Sequence, residues 1–107
     1  MVTEILCHGR ENAILGRDLC KTLGFKSLAS LQRQIASERI AGKNILSTSG
    51  KDGNGYFLPS RDSKAAAEEI SHFIRMMNSR ANRIRQATKT AKAALSDFGQ
   101  TKKEKQK

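Results

Sequence analysis

The chain has 107 residues, 37% of them hydrophobic and 28% charged, with a net charge of +10 and a pI of about 10.1. That length fits one small domain plus an appendage with a thin core. The charge favours a polyanionic partner, because basic side chains displace the counterions condensed on nucleic acid. Trp is absent and aromatics make up 5%, which excludes a stacking platform for single strands.

Glycine punctuates the chain at 9, 16, 24, 42, 50, 53, 55 and 99, and the single proline is Pro59. Punctuation is dense to residue 59 and then stops. Residues 1–60 therefore read as a compact, turn-rich domain carrying +3, and residues 61–98 as one long helix. Residues 99–107 read as a polar, disordered tail. From residue 61 onward the charge is +7.

Val2–Cys7 is expected to be a short helix, and Asn12-Ala13-Ile14 a short strand. Arg17–Leu23 reads as a helix with Leu19, Cys20 and Leu23 on one face, stopped by Gly24. Ser27 is placed to cap a second helix over Leu28–Arg39, whose apolar stripe is Leu28, Leu31 and Ile35. Gly42 ends it. Two β-rich runs, 44–48 and 56–58, flank SGKDGNG, which is a hairpin signal. The expected class is α+β, mainly α with a small β-hairpin, followed by a long C-terminal helix.

Two short helices joined at a glycine turn can present the second to the major groove, where base edges are distinguishable. The hairpin behind them sharpens the pattern. Residues 12–58 resemble the winged helix-turn-helix domain at the start of biotin-repressor proteins, and small winged-helix proteins of phages and mobile elements. The stretches that carry the likeness are GRDLCKTLGF, SLASLQRQI and NILSTSGKDGNGYFLP. The turn differs by one residue: Ser occupies position 30 and the apolar residue is Leu31. Nothing resembling a biotin-ligase sequence follows, so the resemblance implies DNA binding and not catalysis.

On the second helix Arg33 lies opposite the leucine side. Ser30, Ser37, Ala29 and Ala36 share its face, and Gln32 and Gln34 flank it. Small residues let the backbone approach the groove floor, where arginine can pair with guanine and glutamine with adenine. Lys26 and Ser27 sit at the helix N-terminus, where backbone N–H groups favour phosphate. Lys43, Lys51 and Asn54 lie in or beside the hairpin, and Arg17 near the start of the preceding helix; each is a candidate backbone contact.

The steps 67, 70, 74, 77, 81, 84, 88, 91 and 95 alternate by three and four, a heptad-like seam. Its members Ile70, Ile74, Met77, Ala81, Ile84, Thr88, Ala91 and Leu95 form an expected homodimer interface, with folding back, a break near Asn78-Ser79 or ordering by a partner as alternatives. Ser60 or Asp62 can cap the helix. Arg75, Arg80, Arg83, Arg85, Lys89 and Lys92 make it basic, which suits a DNA backbone or plain solvation.

Cys7 and Cys20 form no CxxC pair and no Cys/His cluster, so no metal is expected. A single bridge between them remains open. His8 and His72 lack an evident carboxylate partner, and GKDGNG lacks the strand-then-helix context of a phosphate loop. No enzyme activity, cofactor or small-molecule ligand is expected. MVTEILCHG does not read as a signal peptide and no stretch reads as a membrane span, so a cytoplasmic protein is expected. Two functions follow: sequence-preferring binding of double-stranded DNA by a dimer, in transcriptional regulation or a phage or plasmid DNA transaction, or an adaptor that docks an acidic protein.

Overall fold

Local chemistry sets the two short helices. The computed structural model describes residues 1–99. Helix α1 (Gly16–Leu23) ends where Gly24 adopts φ 76°, ψ 24°. That left-handed conformation suits glycine because it has no Cβ to clash. Helix α2 (Leu28–Ile40) begins at Ser27, whose hydroxyl accepts the Ser30 N–H at 3.1 Å. This bond satisfies one of the N–H groups that every helix start leaves open.

Three short strands complete the first part of the chain. Strand β1 (Ile14–Leu15) precedes α1, and β2 (Leu46–Thr48) and β3 (Gly55–Phe57) form the hairpin. The sheet is antiparallel in the order β1-β3-β2, with Ile14 opposite Tyr56 and Ser47 opposite Tyr56 on its other side. The protein is thus mostly helical, with a small sheet and a long terminal helix, the α+β class read from the sequence.

The core gathers Val2, Leu6, Leu19, Leu31, Ile35, Ile45 and Tyr56, with Leu23, Phe25 and Leu58 packed around it. The buried side of α2 is Leu31, Ile35 and Glu38, spaced i, i+4, i+7. Leu28, expected in that stripe, is 52% exposed. It sits at the stripe's edge, and the third buried place goes to a carboxylate.

Glu38 is 3% exposed. Its carboxylate accepts the Val2 N–H at 2.8 Å, the Thr3 N–H at 2.9 Å, the Thr3 hydroxyl and Gln34 Nε2 at 2.7 Å. Burial by itself pushes this pKa up. The hydrogen bonds from Thr3, Gln34 and Val2 outweigh it and hold the group at about 2, below its ordinary 4.5.

The expected helix over Val2–Cys7 is a single 3-10 turn, Val2–Ile5. The backbone turns extended at Leu6 because the next residues pair elsewhere. Leu58 N–H donates to Cys7 O and Gly9 N–H to Leu58 O, each at 2.8 Å. The expected strand at Asn12 starts two residues later, at Ile14, since Arg10–Asn12 forms another 3-10 turn. Cys7 is exposed, Cys20 is half-buried, and both thiols are free.

Helix α3 (Ser63–Gly99) is continuous, so the alternative break near Asn78-Ser79 does not occur. Asp62 caps it through Ala65 N–H at 2.9 Å. Ser60, the other candidate cap, instead donates its N–H and hydroxyl to Glu69, both at 2.8 Å. Glu69 also accepts the Arg10 N–H at 3.0 Å. Burial opposes ionisation of this carboxyl, but these bonds lower its pKa.

The chain divides into two compact units, Met1–Phe73 and the stretch from Ile74 on. Within the first, Arg39 lies 4.9 Å over the Phe73 ring and donates Nε to Ile45 O at 2.8 Å. The start of α3 is thereby tied to α2 and the hairpin. The tail expected over 99–107 lies, beyond residue 99, outside the described residues. Among the described residues no helix is long and apolar enough to cross a membrane.

Candidate nucleic-acid interface

The outer face of α2 follows from its buried one. With Leu31, Ile35 and Glu38 inside, Ala29, Gln32, Arg33, Ala36, Ser37 and Ile40 are exposed. Arg33 Nη2 donates to Ser30 Oγ at 3.2 Å, and that hydroxyl also receives Ser27 Oγ–H at 3.1 Å. The N-cap, a half-buried serine and the arginine thus form a polar chain along the helix start. The guanidinium keeps most of its five donors for a partner.

Beside this face runs a groove of about 470 Å3, lined by Gly16, Arg17, Leu28, Gln32, Asp52, Gly53, Asn54 and Tyr56. Three elements meet there: the start of α1, the first half of α2 and the loop between β2 and β3. Gly16 makes the approach possible. A Cβ at that position would stand 3.1 Å from Leu28 Cδ2 and 3.5 Å from Tyr56 Cε2. Gly16 N–H donates to Asn54 O at 3.0 Å, which fastens the loop to the helix.

The groove brings together Arg17, Gln32 and Asn54 from the residues singled out in the sequence. It adds Leu28 and Asp52, which the sequence did not mark. Leu28 had been assigned to the core on its spacing. Asp52 gives no pattern to follow, being one acid in a turn-forming loop. An aliphatic wall beside a primary amide suits a thymine methyl beside an adenine edge. Asp52 opposes a phosphate by like charge.

Gln34 does not join this face. It is half-buried, and its amide is spent on Glu38. The reason is its position on the edge of α2 that meets the Val2–Ile5 turn. Lys26, Ser27, Lys43 and Lys51 are exposed outside the groove, and Ser37 lies on the outer face of α2. Lys43 N–H closes the end of α2 on Glu38 O at 2.9 Å, leaving its ammonium in solvent.

In the expected pairing seam, Ile70, Met77 and Ala81 are half-buried, and Ile74, Ile84, Thr88, Ala91 and Leu95 are exposed. Ile74, Ile84 and Leu95 are 52%, 61% and 68% exposed. Phe98, 71% exposed, continues the same spacing by one further step of three. No protein-family model, curated protein or solved structure matches this chain.

Proposed function

We propose that the chain is a winged helix-turn-helix module that binds double-stranded DNA with sequence preference. In this reading α2 enters the major groove, the β2–β3 loop is the wing, and the DNA backbone passes over the groove between α2 and that loop. The observation that carries it is the outer face of α2 from Ala29 to Ser37: one arginine among small and polar side chains, without an acid, next to a loop rich in hydrogen-bonding groups. The net charge of +10 supplies the attraction.

Arg33 reads a base edge, Gln32 and Leu28 read its neighbours, and Arg17, Lys26, Ser27, Lys43, Lys51 and Asn54 hold the backbone. The exposed seam of α3 supports pairing of two chains, and two-fold symmetry then calls for two half-sites. Transcriptional control or a phage or plasmid DNA transaction fits such a module.

The test is selection of bound sites from a random duplex library, followed by affinity measurements on the selected site. Arg33→Ala should cost about 1–3 kcal/mol on that site and relax preference at one position. Lys51→Ala should weaken all duplexes alike. Equal, sequence-independent losses from both changes would refute the assignment of α2.

Ile40 favours a second reading. It is 88% exposed on the same side of α2 as Arg33, an apolar anchor that an acidic protein could bury. A protein without duplex affinity at low salt would support that adaptor.

A further inference from the structure

The part of α3 from Ile74 to Gly99 belongs to the second unit. It holds six cations, Arg75, Arg80, Arg83, Arg85, Lys89 and Lys92, and a single carboxylate, Asp97. A helix that is merely solvated pairs its cations with acids three or four residues away. Here the charged pairs at those spacings are all like charges. Arg85–Lys89, Arg80–Arg83 and Lys89–Lys92 each destabilise the isolated helix by about 0.2–0.5 kcal/mol. An external polyanion adds attraction to each cation that offsets this repulsion.

The cations are also arranged. Arg85, Lys89 and Lys92 fall at i, i+4, i+7 and, with Asn82, Gln86 and Thr88, line a shallow groove of about 490 Å3 along one side of the helix. Its polar groups are cations, amides and a hydroxyl, with Arg85 donating to Asn82 Oδ1, and none is a carboxylate. Large apolar side chains are missing from it as well, and those are the anchors on which protein–protein interfaces depend. From Arg85 to Lys92 the helix rises about 10 Å. Duplex DNA presents about six phosphate charges over that length.

We infer that this side of α3 is a second, sequence-independent docking strip for the phosphodiester backbone of duplex DNA, separate from the base-reading face of α2. The inference rests on the duplex-binding reading above, and it adds where the non-specific affinity resides. Lysine and arginine serve as charge partners, and Asn82 and Gln86 donate to phosphate oxygens.

The test uses the full chain carrying R85Q, K89Q and K92Q together. All three residues are exposed and glutamine is a good helix former, so folding is preserved. A control carries the same charge change at the exposed Lys21, Arg61 and Lys64. Affinity for a random-sequence duplex is measured against salt. The strip variant should lower the log–log slope by about 2–3, at about 0.9 for each phosphate no longer neutralised. The control should lower it by less than one. An unchanged slope, an equal fall in the control, or no duplex binding at low salt overturns the inference. Loss of binding to phosphatidylserine vesicles with an unchanged duplex slope overturns it in favour of a lipid surface. Base preference separates the two claims: a strip variant that loses slope but keeps its selected site supports both. A slope that falls in a protein without any preferred site supports the strip and sinks the reading of α2.

Discussion

Replacing Glu38 by glutamine should destabilise the first unit at neutral pH and leave it nearly unchanged in acid. The carboxylate takes four hydrogen bonds, from Val2, Thr3 and Gln34, at a site 3% exposed. A glutamine keeps one acceptor oxygen and turns an NH2 toward donors. The size of the effect follows from the ionisation. A group that ionises at about 2 when folded and at 4.5 when unfolded stabilises the fold by about 3 kcal/mol at pH 7.

The sign is fixed by which state takes the proton first. The unfolded chain binds it at higher pH, so the contribution is complete above 4.5 and is lost as pH falls toward 2. Urea titrations at pH 7, 5 and 3 measure it, with fluorescence of Tyr56 as the probe. Tyr56 is the only tyrosine, Trp is absent, and its side chain is buried in the first unit. The native chain should exceed the variant by about 2–4 kcal/mol at pH 7, with the gap narrowing by pH 3. A gap that does not change with pH would show that the bonds to Glu38 do not depend on its charge.

Three further changes probe the groove and the turn. Leu28→Ala should cost less than about 1.5 kcal/mol in urea titration, because the side chain is half in solvent, yet shift the selected site at one position. Asp52→Asn should raise duplex affinity at low salt by a few-fold without altering preference, since it removes a like charge facing phosphate; binding isotherms on two unrelated duplexes check this. Gly24→Ala should cost about 1–2 kcal/mol at a φ of 76°, read as a lower thermal midpoint.

The local devices were legible in the residues themselves. Gly24 and Ser27 announce their helix ends because the chemistry of a cap acts over three or four positions. SGKDGNG announces a hairpin for the same reason, and the unbroken run after Pro59 announces α3. Glu38 was not legible. A carboxylate late in an exposed-looking helix reads as solvated, and the donors that bury it come from Val2 and Thr3 at the other end of the unit. Leu28 failed in the complementary way. A wheel gives the direction of an apolar stripe but not which edge the neighbouring segment covers. The Val2–Ile5 turn covers the edge of Gln34 and Glu38, which withdraws Gln34 from the outer face and opens Leu28 to the groove. Arg39 showed no pattern either, since Ile45 precedes β2 and Phe73 lies on α3.

Where the chain enters and leaves the first unit, Gly9 and Cys7 grip Leu58, and Glu69 reaches back to Ser60 and Arg10. A pull applied through the start of α3 therefore meets a clasp before it meets the sheet.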